Sequence, residues 1–194
     1  KNSMKRYQVN KERKIKAAIV GCGRISKNHF ESIKKKKKNI ELVSICDDDE
    51  SVLNTHEKKY NIKGYLDLAN MIEKVDLDLV ILCTPSGLHA EQTETCAKKG
   101  INIMTEKPMA TRWNDGIRMV KVCDQAGVRL FVVKQNRNNP TIKLIKRAIK
   151  ENRFGKIYMV QLNVFWSRPQ SYYDQAPWRG TWEFDGGALM NQAS

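Results

Sequence analysis

The sequence predicts an α/β protein built on a doubly wound parallel sheet. Short apolar runs alternate with amphipathic segments from residue 15 to residue 137, which is the pattern of repeated strand-helix-strand units. Runs such as Leu79–Cys83 are apolar without interruption, as expected of strands that helices cover on both faces. A glycine-rich turn, Gly21–Ser26, directly follows the first run. Together these features predict a Rossmann-type dinucleotide-binding domain.

Five strands and five helices account for this domain, residues 15–137. The apolar runs predict strands at 15–20, 40–46, 78–83, 101–105 and 129–135. The amphipathic segments predict helices near 24–37, 50–60, 67–74, 88–99 and 112–126. Because each strand is followed by a helix, the strands should be parallel, with their carboxyl ends at one edge of the sheet.

A different pattern begins after residue 137. Asn138-Asn139-Pro140 interrupts the alternation, and a basic amphipathic helix is predicted from Thr141 to Lys150. Apolar side chains then alternate from Ile157 to Trp166, which predicts a strand with one covered face. Because one strand cannot form a stable sheet, we expect residues 138–194 to be the start of a truncated α+β domain that serves substrate binding or oligomerisation.

The composition is typical of a water-soluble globular protein. Hydrophobic residues make up 41% of the chain, and no apolar run approaches the ~20 residues that a membrane helix needs. Residues 1–14 are polar and basic and lack the apolar stretch of a secretory signal, so we expect a disordered or added lead-in. These features predict a cytoplasmic protein without a membrane partner.

The chain is strongly basic, with a formal net charge of +14 and five consecutive lysines at Lys34–Lys38. A nucleic-acid or acidic-protein surface is one interpretation. A solvated helix end is the favoured one, because cations complement the carboxyl end of a helix and no aromatic residues interleave with these lysines to stack on bases. We therefore expect no nucleic-acid partner.

The cysteines are scattered singly along the chain. No Cys-x-x-Cys pair occurs, and no histidines cluster beside them. Buried single cysteines commonly act as small hydrophobic residues. We therefore expect neither a disulfide framework nor a metal site.

The glycine-rich turn fits the fingerprint G-x-G-x-x-G/A, with Ser26 at the third small position. The two glycines allow a tight turn and let the backbone approach a pyrophosphate at the helix N-terminus. We expect the pyrophosphate to lie over Gly21, Cys22, Gly23, Arg24 and Ile25.

A carboxylate at the end of the second predicted strand indicates which dinucleotide is bound. Asp47 can accept hydrogen bonds from the adenine-ribose hydroxyls and would repel a 2′-phosphate, which favours NAD over NADP. The adjacent Asp48 and Asp49 leave the choice of residue open. One of the three could instead cap the following helix.

Two further motifs follow predicted strands. Pro85, in Thr84-Pro85, is expected to form a wall against the nicotinamide ring, and His89 beyond it is as compatible with a structural role as with a functional one. Lys107, in Glu106-Lys107-Pro108, would stand beside the reactive end of the dinucleotide. A lysine at a buried strand end needs polar partners or has a depressed pKa, which suits a hydrogen bond to a substrate hydroxyl. The alternative is a structural ion pair with Glu106.

These motifs, together with Gly186-Gly187, resemble the glucose-fructose oxidoreductase, inositol dehydrogenase and MocA family over residues 15–194. The resemblance implies NAD as the cofactor and favours a cis peptide bond between Lys107 and Pro108. Beyond the glycine-rich turn, the expected cofactor site comprises Asp47, Thr84, Pro85, His89, Glu106 and Lys107.

A second set of motifs resembles one branch of this family. The set consists of 132–137, 158–160, 166–174 and 178–187. The resemblance implies an enzyme that uses NAD to oxidise the C3 hydroxyl of UDP-N-acetylglucosaminuronate in bacterial surface-polysaccharide (lipopolysaccharide) synthesis. It also implies a downstream PLP aminotransferase and a homo-oligomer of the full-length protein. Another sugar or inositol dehydrogenase, or a catalytically silent NAD-binding sensor, is the alternative.

The resemblance also implies roles for individual residues. In the family, the motif lysine contacts the reacting hydroxyl, and a histidine one helical turn beyond an aspartate is the base. Lys107 and Asn191 are the corresponding positions here, with Asn191 in place of that aspartate, and the histidine would follow Ser194. We therefore expect no turnover from these 194 residues alone.

Four residues of the irregular later segment are candidates for substrate binding: Arg168, Tyr172, Trp178 and Arg179. Arginines suit a diphosphate or a uronate carboxylate, and aromatic rings can stack on uracil or sugar. For Trp178, a place in the core of the second domain is the alternative.

Overall fold

A computed structural model describes residues 13–192 and confirms the predicted fold class. Its sheet has six parallel strands in the order β3-β2-β1-β4-β5-β6. The strands are β1 (Ile15–Val20), β2 (Ile40–Cys46), β3 (Lys63–Tyr65), β4 (Leu79–Leu82), β5 (Asn102–Thr105) and β6 (Leu130–Val132). Most of the predicted lead-in, residues 1–12, lies outside the described residues.

Helices cover both faces of this sheet. They are α1 (Ser26–Lys35), α2 (Glu50–Tyr60), α3 (Leu68–Lys74), α4 (His89–Lys98) and α5 (Trp113–Ala126). Three further helices follow the sheet in the chain, α6 (Pro140–Lys150), α7 (Gln170–Tyr173) and α8 (Gly187–Gln192). Short 3-10 helices occupy Ser86–Leu88 and Gln135–Asn138. Among the described residues, no helix is long and apolar enough to cross a membrane.

Burial of alternate side chains on both faces holds the sheet together. In β1, Ile19 packs with Phe30 and Ile45 on one face, whereas Val20 packs with Leu82 and other residues on the opposite face. Each fully buried side chain of this size contributes about 1.5–3 kcal/mol to folding. The chain order reverses between β1 and β4, which leaves a crevice at the carboxyl ends of these strands.

The edge strands depart from the predicted elements. β3 has only three residues, and its lone buried residue, Tyr65, gives too short an apolar pattern to predict a strand. At the other edge, β6 ends at Val132 rather than at residue 135, because its last partner, Thr105, is the end of β5. The last backbone hydrogen bond between the two strands runs from the N–H of Val133 to the carbonyl of Thr105 (2.9 Å).

The strand predicted from Ile157 to Trp166 is not formed. These residues belong to no strand, and side chains such as Tyr158 and Leu162 are more than 80% exposed. A strand obtains its hydrogen bonds from a neighbouring strand, and the described part of the chain pairs none with this segment. The preceding helix α6 does form, with Asn139 accepting a hydrogen bond from the backbone N–H of Thr141 (3.0 Å) as its N-cap.

The lysine run and the cysteines have simple structural settings. Helix α1 ends at Lys35 and all five lysines of Lys34–Lys38 are exposed, which agrees with a solvated helix end. All five cysteines are free and buried. No group of three potential metal ligands occurs within residues 13–192.

Candidate active site

A cavity of about 960 Å³ lies at the carboxyl edge of the sheet. Most of the predicted site residues line it: Gly21, Gly23, Arg24, Ile25, Asp47, Thr84, Pro85, Glu106, Lys107, Tyr172, Trp178, Arg179 and Asn191. Three predicted residues do not line it, namely Cys22, His89 and Arg168. The cavity therefore unites motifs that lie up to 170 residues apart in the sequence.

The two glycines of the fingerprint are favoured at their positions for different structural reasons. Gly21 has a positive φ of 85°, and a Cβ there would lie 2.8 Å from backbone atoms of Cys83 and Thr84. At Gly23, in contrast, a Cβ would meet no heavy atom within 4 Å, so the backbone borders open space at the cavity. An accessible backbone at the start of α1 fits the pyrophosphate of a dinucleotide.

Asp47 is attached directly to the glycine-rich turn. Its Oδ2 accepts a hydrogen bond from the backbone N–H of Cys22 (2.6 Å), and its Oδ1 accepts one from that of Asp49 (3.0 Å). Asp49 is the helix cap, because its side chain accepts from the backbone N–H groups of Ser51 and Val52 at the start of α2. All three aspartates of 47–49 line the cavity, and Asp47 is the one whose side chain is hydrogen-bonded to the glycine-rich turn.

Cys22 contributes its backbone rather than its side chain. Burial raises the pKa of the Cys22 thiol to about 12, and the nearby Asp47 carboxylate adds to this shift. The thiol is therefore uncharged at neutral pH and unreactive.

His89 lies behind the cavity wall and connects two of the predicted motifs. It is fully buried, with Nδ1 3.0 Å from the carbonyl oxygen of Pro108 and Nε2 3.1 Å from that of Thr84. A neutral imidazole has one N–H and donates to one of these oxygens at a time, whereas an imidazolium would donate to both. Burial lowers the pKa of His89, and the two carbonyls oppose this shift. His89 thus ties the Thr84-Pro85 turn to the Lys107-Pro108 turn.

The Lys107–Pro108 peptide bond is cis, as predicted. On the other side of Lys107, the carboxylate of Glu106 lies 2.7 Å from Nε2 of His29, which projects from α1. Glu106 also accepts the backbone N–H of Lys107 (3.2 Å). Both neighbours of Lys107 are therefore held by buried or largely buried histidines.

The ammonium group of Lys107 meets the beginning of the second domain. Its Nζ donates to the backbone carbonyl of Asn191 and lies 3.4 Å from the Asn191 Oδ1. Burial is the main reason that the pKa of Lys107 lies below its ordinary value, and the carboxylates of Glu106 and Asp185 partly oppose this shift. A half-buried lysine of this kind can hold a hydroxyl group and exchange a proton with it.

Two residues of this site were missed by sequence analysis, His29 and Asp185. Asp185 is buried and accepts hydrogen bonds from the Asn191 side-chain amide and from the backbone N–H of Gly180 (2.7 Å). His29 is three residues beyond Ser26, which places it on the first turns of α1 near the sheet edge. The periodicity of α1 could have indicated its direction, but its partner Glu106 is 77 residues away.

The predicted substrate residues gather around Tyr172. The guanidinium groups of Arg168 and Arg179 lie over its ring, and Arg179 also lies over Trp178. A backbone hydrogen bond from Gly87 to the carbonyl of Phe184 (3.1 Å) attaches this later segment to the turn that follows β4.

The fold and site agree with the family comparison. Residues 15–134 match the GFO/IDH/MocA oxidoreductase family, NAD-binding Rossmann fold, and residues 142–194 match the C-terminal domain of the same family. The chain therefore belongs to the GFO/IDH/MocA family, and its first domain binds NAD.

Some members of the family are much more similar to this chain than others. The WlbA dehydrogenase from Chromobacterium violaceum, solved in complex with NADH and UDP-GlcNAcA, is 55% identical with a TM-score of 0.91 over 95% of this chain and 53% of that one. WlbA from Bordetella pertussis, solved with the same ligands, is 55% identical with a TM-score of 0.91 over 93% and 55% of the two chains. D-Apiose dehydrogenase from Paraburkholderia graminis is 31% identical over 157 residues, which are 80% of this chain and 40% of that protein. The chain thus spans about half the length of these proteins.

Proposed function

We propose that this chain belongs to an enzyme that uses NAD to oxidise the C3 hydroxyl of UDP-N-acetylglucosaminuronate to a ketone. The observation that carries the proposal is the 55% identity to two dehydrogenases solved with UDP-GlcNAcA, over more than nine tenths of this chain. That similarity extends far beyond the dinucleotide-binding motifs, and it includes the segment around Tyr172 that lines the cavity.

The residues of the cavity would have different roles in this reaction. The backbone of the glycine-rich turn and the Asp47 carboxylate would hold NAD, which when bound accepts a hydride from the substrate carbon. Lys107 would donate a hydrogen bond to the reacting hydroxyl from the position in which it now contacts Asn191. Asp185 would orient Asn191, and His29 and His89 would hold the neighbours of Lys107.

Other properties of the whole protein belong to the same proposal. Residues 138–194 would form the first part of a domain for substrate binding and oligomerisation, and the proton-accepting histidine would follow Ser194. The enzyme would act in the cytoplasm as a homo-oligomer in lipopolysaccharide synthesis. A PLP aminotransferase would consume the 3-keto product, because a ketone is the substrate that such an enzyme converts to an amine.

The proposal is tested by turnover of the full-length protein with NAD and UDP-GlcNAcA, followed by NADH absorbance. Lys107→Ala should lower kcat by ~10²-fold or more with the affinity for NAD nearly unchanged, because Lys107 acts on the hydroxyl rather than on the cofactor. Lys121→Ala, which removes an exposed lysine of α5, is the matched control and should retain full activity. Near-normal kcat in Lys107→Ala would show that the acting residue has been wrongly assigned.

Oxidation of a free sugar or inositol is the second candidate function. It is supported by the 31% identity to D-apiose dehydrogenase, which has no nucleotide in the name of its substrate. The same assay with free sugars, inositols and UDP-sugars distinguishes the two. NADH formation from a free sugar or inositol but not from UDP-GlcNAcA would favour this candidate.

A further inference from the structure

Three arginines surround the ring of Tyr172 at the edge of the large cavity. The guanidinium carbons of Arg24, Arg168 and Arg179 lie 5.7, 5.2 and 4.5 Å from the ring centre. Arg24 comes from the glycine-rich turn after β1, whereas the other residues come from the segment that follows α6. A guanidinium stacked on an aromatic ring keeps its N–H edge available for an anion.

These arginines are not neutralised within the described residues. None of the three forms an ion pair with a carboxylate in residues 13–192. Arg168 donates to the side chain of Gln192 (2.9 Å), and the Nε of Arg179 is buried without a hydrogen-bond partner. Three positive charges around one ring repel each other, and a bound anion would relieve this repulsion.

A second cavity, of about 340 Å³, opens between Arg24 and Arg168. Arg24, Tyr172 and Gln175 line both cavities, so the smaller space is adjacent to the large cavity. Guanidinium groups recognise phosphate oxygens through pairs of parallel hydrogen bonds, which is why arginine predominates in such sites.

We propose that Arg24, Arg168 and Arg179 form a binding site for the diphosphate of the nucleotide-sugar substrate, separate from the backbone site for the NAD pyrophosphate. The source of the diphosphate rests on the proposed function. Two of the arginines and Tyr172 lie outside the NAD-binding match at 15–134, so the site belongs to the junction between the two domains. Arg24 thus serves the cofactor through its backbone and the substrate through its side chain.

The test measures binding of inorganic pyrophosphate to the full-length protein saturated with NAD, by titration calorimetry. Saturation with NAD occupies the cofactor site, so the remaining pyrophosphate binding is expected at the arginines. Arg24→Ala and Arg168→Ala should each weaken pyrophosphate and UDP binding by ~10-fold or more, while NAD binding changes less than ~2-fold. Lys27→Ala is the matched control, because it removes an exposed positive charge of α1 that lines neither cavity.

The outcomes separate this site from the proposed function. Weaker NAD binding with unchanged pyrophosphate binding in Arg24→Ala would assign Arg24 to the cofactor and overturn the site. An equal loss in Lys27→Ala would do the same, since only bulk charge would then matter. If UDP-GlcNAcA is not oxidised but the two arginine variants still lose pyrophosphate binding, the site stands and the proposed function falls. If it is oxidised with an unchanged KM in both variants, the function stands and the site falls.

Discussion

At the scale of single residues, Lys107 shows how burial prepares a common side chain for chemistry. Its ammonium group is removed from water, which lowers its pKa, yet it retains oxygen partners on Asn191 that a substrate hydroxyl could replace. Its sequence neighbourhood predicted a functional lysine. The contact with Asn191 could not be predicted from local patterns, because the two residues are 84 positions apart.

The lowered pKa of Lys107 predicts a pH dependence. Lys107 must be protonated to donate to the substrate hydroxyl, so kcat should fall as the pH rises through its pKa, below the ordinary 10.5 of lysine. Lys107→Arg should remove this basic limb, because arginine stays protonated, although its kcat will be low. A pH profile of kcat in the full-length protein checks this. A limb that persists unchanged in Lys107→Arg would belong to another group.

Replacement of Asp47 tests whether this residue favours NAD over NADP. Asp47→Ala should weaken NAD binding by about 10-fold and reduce the discrimination against NADP, because it removes the carboxylate that would accept from the ribose hydroxyls and repel a 2′-phosphate. Titration of both cofactors with both proteins measures this. Asp124→Ala, which removes an exposed carboxylate of α5 that does not line the cavity, is the control. Tighter binding of NADP than of NAD by the unaltered protein would contradict the assignment.

At the scale of secondary structure, the internal strands were predicted far better than the edges. The bounds of β1 and β2 agree with the predicted 15–20 and 40–46, because nearly all side chains of these central strands are buried or half-buried and are therefore mostly apolar. Edge strands such as β3 depend on a neighbour for their length. The segment 157–166 has a clear alternating pattern but no described strand beside it, and an alternating pattern alone supplies no backbone hydrogen bonds.

His89 joins the Thr84-Pro85 turn to the Lys107-Pro108 turn, so its replacement should change the stability of the fold. His89→Ala should lower the free energy of unfolding by about 2–3 kcal/mol, because it leaves a cavity and two buried carbonyls with one donor fewer. His89→Gln, which keeps an N–H donor, should recover part of this loss. Denaturant unfolding at pH 7.5 measures both. Equal stability of the alanine variant and the unaltered protein would show that the connection contributes nothing.

The same histidine predicts how stability changes with acid. Because burial lowers the pKa of folded His89, the unfolded chain takes up a proton near pH 6.5 that the folded protein does not. The contribution of neutral His89 to the free energy of unfolding is therefore fully present above pH 6.5, and it declines as the pH falls below 6.5. The unaltered protein should lose more stability than His89→Gln between pH 7.5 and pH 5.5, and a parallel loss in both would contradict this.

At the scale of the whole molecule, the candidate site lies where the dinucleotide-binding domain meets the segment that follows α6. The doubly wound sheet, the NAD-binding domain and the place of Lys107 could be predicted from apolar runs and short motifs at strand ends. The contacts of the histidines behind Lys107 and of the arginines around Tyr172 could not, because those contacts join distant parts of the chain. In the proposed reaction, a C3 hydrogen of a UDP-sugar passes to NAD at this junction.

This hydrogen transfer can be measured with a substrate that carries deuterium. The full-length protein is incubated with NAD and UDP-N-acetylglucosaminuronate that carries deuterium at C3 only, and the NADH is analysed by mass spectrometry. We expect NADH that contains one deuterium, together with a 3-keto sugar that has lost it. Unlabelled NADH, formed while the deuterium remains on the sugar, would contradict the account.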